Sequence, residues 1–245
     1  MKKLWFYTAA GLLALTGTAK AFSYGEFISC NDINPRPAIT FTSSYGKLYH
    51  ILSASTEQIN QIAELKPEYK EKGMFAEGLA TAPIKMTLQI GTSYLQRLDD
   101  EYSCLMPQEV KIFVGYRKPE IYVSNTHDYQ SCRFSVIIRH EQTHQRINKL
   151  TLEYYLPLID KAIRNAVYEV RAVKVRTNDK ASLDQGWEEL YSHYIARLTP
   201  IVEELIRARE REHQKLDNLR NYKMEWDLCD KYDREHPADT QEKKQ

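Results

Sequence analysis

His140, Glu141 and His144 fall in the run His140-Glu141-Gln142-Thr143-His144, an H-E-x-x-H pattern. On a helix, residues four apart share one face. Two imidazoles so placed can hold one Zn²⁺, and the Glu between them can reach a water beside it. Zinc at a hydrolytic site takes three protein ligands and keeps a fourth position open. There it lowers the pKa of water and polarises a carbonyl. Glu141 is then the candidate general base and acid, and the chain must supply a third ligand.

Helix geometry narrows the search for that ligand. From Phe134 to Arg176 there is no Gly and a single Pro, Pro157. This predicts a long helix on which Ile147, Leu150, Tyr154, Leu158 and Ala162 continue the stripe carrying the two histidines. Thr177-Asn178-Asp179-Lys180 is a polar break, and Ser182 with Gln185 reads as a capping box for the next helix. Trp187, Leu190, Tyr191, Tyr194, Leu198, Ile201, Val202, Leu205 and Ile206 then keep helical spacing past Pro200. Two long helices with a short connection pack as an antiparallel hairpin.

Along the first helix, Glu169 would lie about 37 Å beyond His144 and Glu153 about 13 Å beyond it, so neither reaches. A hairpin tip near residues 178–181 instead returns residues 213–220 to the two histidines. That window holds His213 and Asp217, again four apart, with Glu210 and Glu212 at its edge. Histidine and carboxylate both suit zinc. A kink at Pro157 or Pro200 would shift the register by a turn, so the choice between them stays open. One of the pair can bind the metal while the other orients a ligand. His50 and His127 fall near loops or strand ends, and His193 sits in the apolar part of the second helix. Arg139, Tyr154, Tyr191 and His193 are candidates for stabilising an oxyanion by residue type alone.

The elements before residue 134 mix strand and helix. Ala38–Thr42 reads as a strand, and Ser55-Thr56-Glu57 opens a short helix with Ile59, Ile62 and Leu65 at helical spacing, ended by Pro67. Lys85–Ile90 alternates polar and apolar residues as a half-buried strand does. Val110–Val114 and Glu120–Val123 flank Gly115-Tyr116-Arg117-Lys118-Pro119 and read as a β-hairpin. The predicted fold class is α+β: a small β-rich N-terminal region (22–133) packed on a long antiparallel helical hairpin (134–230), forming one domain over 22–230. Residues 231–245 form a charged tail with Pro237.

The chain opens with Lys2 and Lys3, an apolar stretch from Leu4 to Leu15, and Ala19-Lys20-Ala21 before Phe22. That is the form of a secretory signal peptide, residues 1–21, and it predicts a periplasmic or secreted protein. Cys30, Cys104, Cys132 and Cys229 all lie beyond it. Four cysteines in an exported chain predict two disulfides, with three pairings open. With 34 basic and 33 acidic residues there is no net field to recruit nucleic acid. No later stretch is apolar enough to stay in a membrane.

The segment Ser131-Cys132-Arg133-Phe134-Ser135-Val136-Ile137-Ile138-Arg139, followed by H-E-Q-T-H and Gln145-Arg146-Ile147, resembles a group of secreted bacterial zinc proteases in the zincin-like metallopeptidase superfamily. The resemblance covers roughly residues 75–230 in outline, and only the H-E-x-x-H segment is specific. In that group a small β-rich region precedes the motif helix. A later helix carries a polar residue three positions before a hydrophobic-Asp pair, matched here by His213-Gln214-Lys215-Leu216-Asp217. The resemblance implies His140, His144 and Asp217 at zinc and Glu141 in catalysis, acting on a peptide or protein. The chain lacks the short-range Glu-x-x-x-Asp helix of thermolysin-like enzymes. It also lacks the metzincin extension, since positions 147 and 150 are Ile and Leu. The competing expectation is a non-catalytic exported binding or assembly protein with a structural or vestigial metal. A zinc amidase acting on cell-wall peptides is a third.

Overall fold

The computed structural model of the chain describes residues 29–64, 75–96 and 101–237. The expected signal peptide, the Pro67 helix stop and residues 238–245 lie outside the described residues. The class is α+β. Among the described residues, seven strands form two sheets, and four α-helices accompany them. The strands are β1 (Ala38–Ser44), β2 (Tyr49–Ile51), β3 (Gly78–Thr81), β4 (Ile84–Gln96), β5 (Tyr102–Tyr116), β6 (Glu120–Val123) and β7 (Val173–Arg176). The helices are α1 (Thr56–Ile62), α2 (Cys132–Glu169), α3 (Lys180–Leu216) and α4 (Leu219–Glu235). Among the described residues no helix is long and apolar enough to cross a membrane.

The chain clusters into two compact units, each drawing on both strands and helices. The first takes residues up to Thr42, Met86–Phe113 and Leu158–Ile201. Its sheet has the order β1-β5-β4, with β7 antiparallel to the start of β5 in the register Tyr102↔Arg176. Val110, Ile112, Ile159, Ile163, Val175, Leu190, Tyr194 and Leu198 are buried there. The disulfide Cys30–Cys104 ties the N-terminal turn to β5. β7 replaces the last turns of the helix expected to run to Arg176. Val173-Lys174-Val175-Arg176 alternates apolar and charged residues with β-branched valines, a strand pattern. Asp179, not Ser182, opens α3: its side chain accepts from Ala181 N–H at 3.0 Å. Ser182 Oγ accepts from Arg176 N–H instead.

The second unit comprises Ser43–Lys85, Val114–Pro157 and residues from Val202 onward. Its sheet has the order β2-β6-β3, with β2 parallel to β6 and β3 antiparallel to it. The expected hairpin of 110–114 with 120–123 is not formed, because β5 and β6 belong to different sheets. Both edges of β6 are occupied by β2 and β3, and the turn at Arg117 hydrogen-bonds to Pro83 O rather than closing on β5. Ser55 caps α1 with a capping box to Gln58, as the sequence expects. α4 runs to Glu235, so residues 231–235, read as tail, continue a helix that the disulfide Cys132–Cys229 fastens to the start of α2.

Both long helices pass through their internal prolines unbroken. The buried stripe of α2 is His140, His144, Asn148, Leu152, Tyr155, Ile159, Ile163 and Ala166. It is not the predicted one, for Leu150, Tyr154 and Leu158 are exposed. Pairs such as 144/155, 148/159 and 152/163 repeat every 11 residues, or about 3.67 per turn, so the buried line drifts off a strict 3.6 period.

Candidate metal centre

The site lies wholly within the second unit and draws on three helices from two stretches far apart in sequence. α2 supplies His140, Glu141 and His144, all on its buried stripe. The end of α3 supplies His213 and, just past its last turn, Asp217. α4 supplies Tyr222 and Glu225. Asn218 caps α4 by accepting from Asn221 N–H, while Asn218 and Asn221 amides cap the last carbonyls of α3. This break redirects the chain so that α4 returns over His140.

His140 Nε2, His144 Nε2 and Asp217 Oδ1 converge. The two nitrogens are 3.2 Å apart, and they lie 3.1 and 3.0 Å from the oxygen. A tetrahedral ion with bonds of about 2.0–2.1 Å would have ligand–ligand edges of about 3.3–3.4 Å, so the triangle has nearly the size zinc requires. This His140–His144–Asp217 group could hold a metal ion. Its back is closed: His140, Glu141 and His144 are 5–7% exposed, whereas the Asp217 side chain is 40% exposed. The group therefore opens to solvent on one side only.

Around the triangle each group has a partner. Glu225 Oε1 lies 3.3 Å from His140 Nδ1. A carboxylate only accepts, so His140 Nδ1 carries a proton and Nε2 is the nitrogen left to face the centre. Tyr222 stacks on the His140 ring at 5.2 Å and donates its hydroxyl to Asp217 Oδ1 at 2.8 Å. His144 Nδ1 lies 2.6 Å from His213 Nδ1, and His213 Nε2 lies 2.9 Å from Asn148 Oδ1. Both His213 nitrogens are thus engaged away from the triangle, and His213 stands beside a candidate ligand rather than among them. Of the two residues the sequence left open, the structure brings Asp217 into the group.

The electrostatics follow from burial and pairing. Burial works against charge on His140, but Asp217, Glu141 and Glu225 outweigh it and raise its pKa. A metal ion would displace that proton. Burial favours a neutral Asp217, yet the hydrogen bonds from His140, His144 and Tyr222 hold its carboxyl far below the usual range. Burial, His144 and Arg209 push His213 down to about 4, so it is neutral near pH 7. Burial drives the Glu141 carboxyl up to about 7, only partly offset by His144 and His140.

β3 lies against the motif. A Cβ on Gly78 would sit 2.6 Å from Glu141 Oε1 and 2.6 Å from Ile137 Cγ2, so only glycine lets the strand approach this closely. Ala80 N–H hydrogen-bonds to Glu141. Gln145 Nε2 donates to Thr81 O and Glu120 O, and Arg209 donates to Ala82 O. The strand beside the motif is therefore β3, an edge strand the sequence reading did not name. Residues 120–123 form the centre of their sheet, with β2 on one edge and β3 on the other.

Glu153 and Glu169, which helix geometry excludes, are engaged elsewhere: Glu153 accepts from the Tyr45 hydroxyl and Glu169 pairs with Arg197. His193, a candidate by residue type, has its Nε2 against Ala166 O. Glu212 pairs with Lys215 at the surface. Tyr222, Glu225 and Asn148 were missed. Asn148 had a signal, since it lies one turn beyond His144 on the same face. Tyr222 and Glu225 had none without the Cys132–Cys229 pairing that places α4.

Comparison with protein-family models, with curated proteins and with solved structures finds no match.

Proposed function

We propose that the protein is an exported zinc-dependent hydrolase, a peptidase of zincin-like type. The observation that carries this reading is the half-open triangle of His140, His144 and Asp217 with a buried Glu141 beside it. Among the described residues the group has three members, the number a catalytic zinc takes, and not the four of a closed structural site. Two disulfides, with no free cysteine, accord with an oxidising compartment.

Zn²⁺, when bound, supplies the Lewis acidity that activates water and polarises a scissile carbonyl. His140, His144 and Asp217 hold it. Glu141, with a pKa near 7, accepts the proton of the attacking water and returns it to the leaving amine. Its burial leaves few waters to compete for that proton. The Tyr222 hydroxyl, which donates to Asp217 Oδ1 at 2.8 Å, is a donor beside the centre for an oxygen that gains negative charge. The outer edge of β3, which pairs with no other strand among the described residues, supports an extended peptide as the substrate.

The test is metal analysis of the purified protein together with hydrolysis of a mixed peptide library. Wild type should carry one zinc and cleave peptides. Glu141→Gln should keep the zinc and lose the cleavage. A wild type without affinity for zinc would refute the reading. A Glu141→Gln protein that cleaves as fast as wild type would refute the role of Glu141.

A further inference from the structure

A catalytic or structural zinc binds the lone pair of an imidazole, so the ring must keep its proton on the other nitrogen. For His140 the Glu225 carboxylate sets this. For His144 the neighbour is His213, a ring that can donate or accept, and the contact between the two Nδ1 atoms is ambiguous by itself. The ambiguity is resolved four groups away.

Gln145 Nε2 lies 2.9 Å from Thr81 O and 3.0 Å from Glu120 O. Backbone carbonyls only accept, so the amide NH₂ of Gln145 must face them and its Oε1 must face away. That oxygen meets Asn148 Nδ2 at 3.2 Å, which turns Asn148 Oδ1 toward His213 Nε2 at 2.9 Å. An amide oxygen accepts, so His213 Nε2 carries the proton and its Nδ1 holds a lone pair. His144 Nδ1 must then donate to it, and Nε2, 3.0 Å from Asp217 Oδ1 and 3.2 Å from His140 Nε2, is the nitrogen left for a metal, whose binding displaces the proton shared among these three atoms. Each step has one solution because the previous one removes the other. Asn148 is 3% exposed, so water has little access to break the chain. A second bond, from Tyr116 hydroxyl to Asn148 O at 2.8 Å, fixes the backbone there.

We propose that Gln145, Asn148 and His213 are positioning residues that hold His144 in its Nδ1–H tautomer, presenting Nε2 to the metal before the metal arrives. This deepens the zinc reading and rests on it for its purpose, but the tautomer itself is a property of the metal-free protein. The asymmetry is notable: one zinc histidine is oriented by a charge, Glu225, and the other by a neutral chain ending on two main-chain carbonyls.

The experiment is long-range ¹H–¹⁵N correlation NMR of the metal-stripped protein with ¹⁵N-labelled histidine at pH 8. It is paired with zinc affinity by chelator competition and with a thermal melt for each variant. Wild type should show His144 protonated at Nδ1 and His213 at Nε2. His213→Leu and Asn148→Leu should each shift His144 toward Nε2–H and weaken zinc about 10–100-fold. His213→Asn, whose amide oxygen replaces the Nδ1 acceptor, should keep the tautomer and stay within about 3-fold of wild type in affinity. Gln145→Leu breaks the same chain further out and serves if Asn148→Leu does not fold. A wild-type His144 carrying its proton on Nε2, or leucine variants with unchanged tautomer and affinity, would overturn the proposal. The expected tautomer in a protein that binds no zinc would leave the relay standing and remove the metal. Zinc binding with the wrong tautomer would do the reverse.

Discussion

Replacing Glu141 with glutamine in the metal-free protein isolates what it costs to ionise a carboxyl inside this fold. Glu141 is 6% exposed, and its pKa stands near 7 against a reference of 4.5. Between those values the folded chain keeps a proton that the unfolded chain has released. Stability therefore falls as pH rises through this window. The contribution is fully present below about pH 4.5 and is lost once pH passes about 7. At about 1.36 kcal/mol per pKa unit the shift corresponds to about 3 kcal/mol. Glutamine has the same shape, keeps a group that accepts from Ala80 N–H, and does not titrate. Urea unfolding of the stripped wild type and Glu141→Gln at several pH values from 4.5 to 8 measures the difference directly. Titration of His213 is common to both chains and largely cancels, whereas His140 loses one of the carboxylates that raise its pKa, and its titration changes with the substitution. The variant should gain about 3 kcal/mol on wild type between pH 4.5 and 8. Adding zinc at pH 7 and above should shrink that gain, because a dication stabilises the ionised carboxylate. A difference that is flat with pH in the stripped protein, or that runs the other way, would refute the claim that desolvation governs this group.

Three further outcomes follow from the same geometry. Asp217→Ala should weaken zinc binding, measured by chelator competition, more than His213→Ala does, since only Asp217 faces the two Nε2 atoms. Gly78→Ala should cost about 1–3 kcal/mol in urea unfolding and lower turnover while zinc content holds, because its Cβ would collide with Glu141 and Ile137. Replacing Cys132 and Cys229 together with serine should remove up to about 4–5 kcal/mol in the loop-entropy picture, given their separation of 97 residues. It should also loosen Tyr222 and Glu225, seen as weaker zinc binding.

How far the site was readable depends on which interactions are local. Helix rise is constant, and the two long helices stay continuous through Pro157 and Pro200. Counting back from a tip near residue 179 therefore placed His213 and Asp217 opposite His144 correctly. The motif itself is a four-residue relation, which sequence displays in full. Strand pairing is not local, and there the reading failed. Val110–Val114 and Glu120–Val123 look like hairpin partners, yet each finds its neighbours elsewhere in the chain. The stripe on α2 was misplaced because apolar residue type was followed: the face of His140 and His144 continues through the polar Asn148 to Leu152, while Leu150 and Tyr154 lie to the other side of it. Leu150 and Tyr154 ended in solvent, while Asn148 took the buried position that orients His213.

The placement of α4 shows why the third segment of the site escaped the sequence and why it matters for chemistry. Asp217 sits at a break between two helices, more exposed than the two histidines it joins. A carboxylate there would be free to swing into water. Tyr222 donates to it from one helical turn beyond, Glu225 takes the far nitrogen of His140, and Cys229 pins the same helix to Cys132 at the head of α2. Those residues occupy positions 222, 225 and 229, steps of three and four that put them on one face of α4. A single helix face thus orients two of the three candidate ligands, and one covalent bond anchors it. The surface ion pair Arg133–Asp230 adds little to this anchoring, since an exposed pair contributes at most about 1 kcal/mol. The disulfide is therefore the element that ties the site to an oxidising environment. In a reducing compartment α4 would keep its helix but lose its clamp, and the open side of the triangle would lose the groups that shape it.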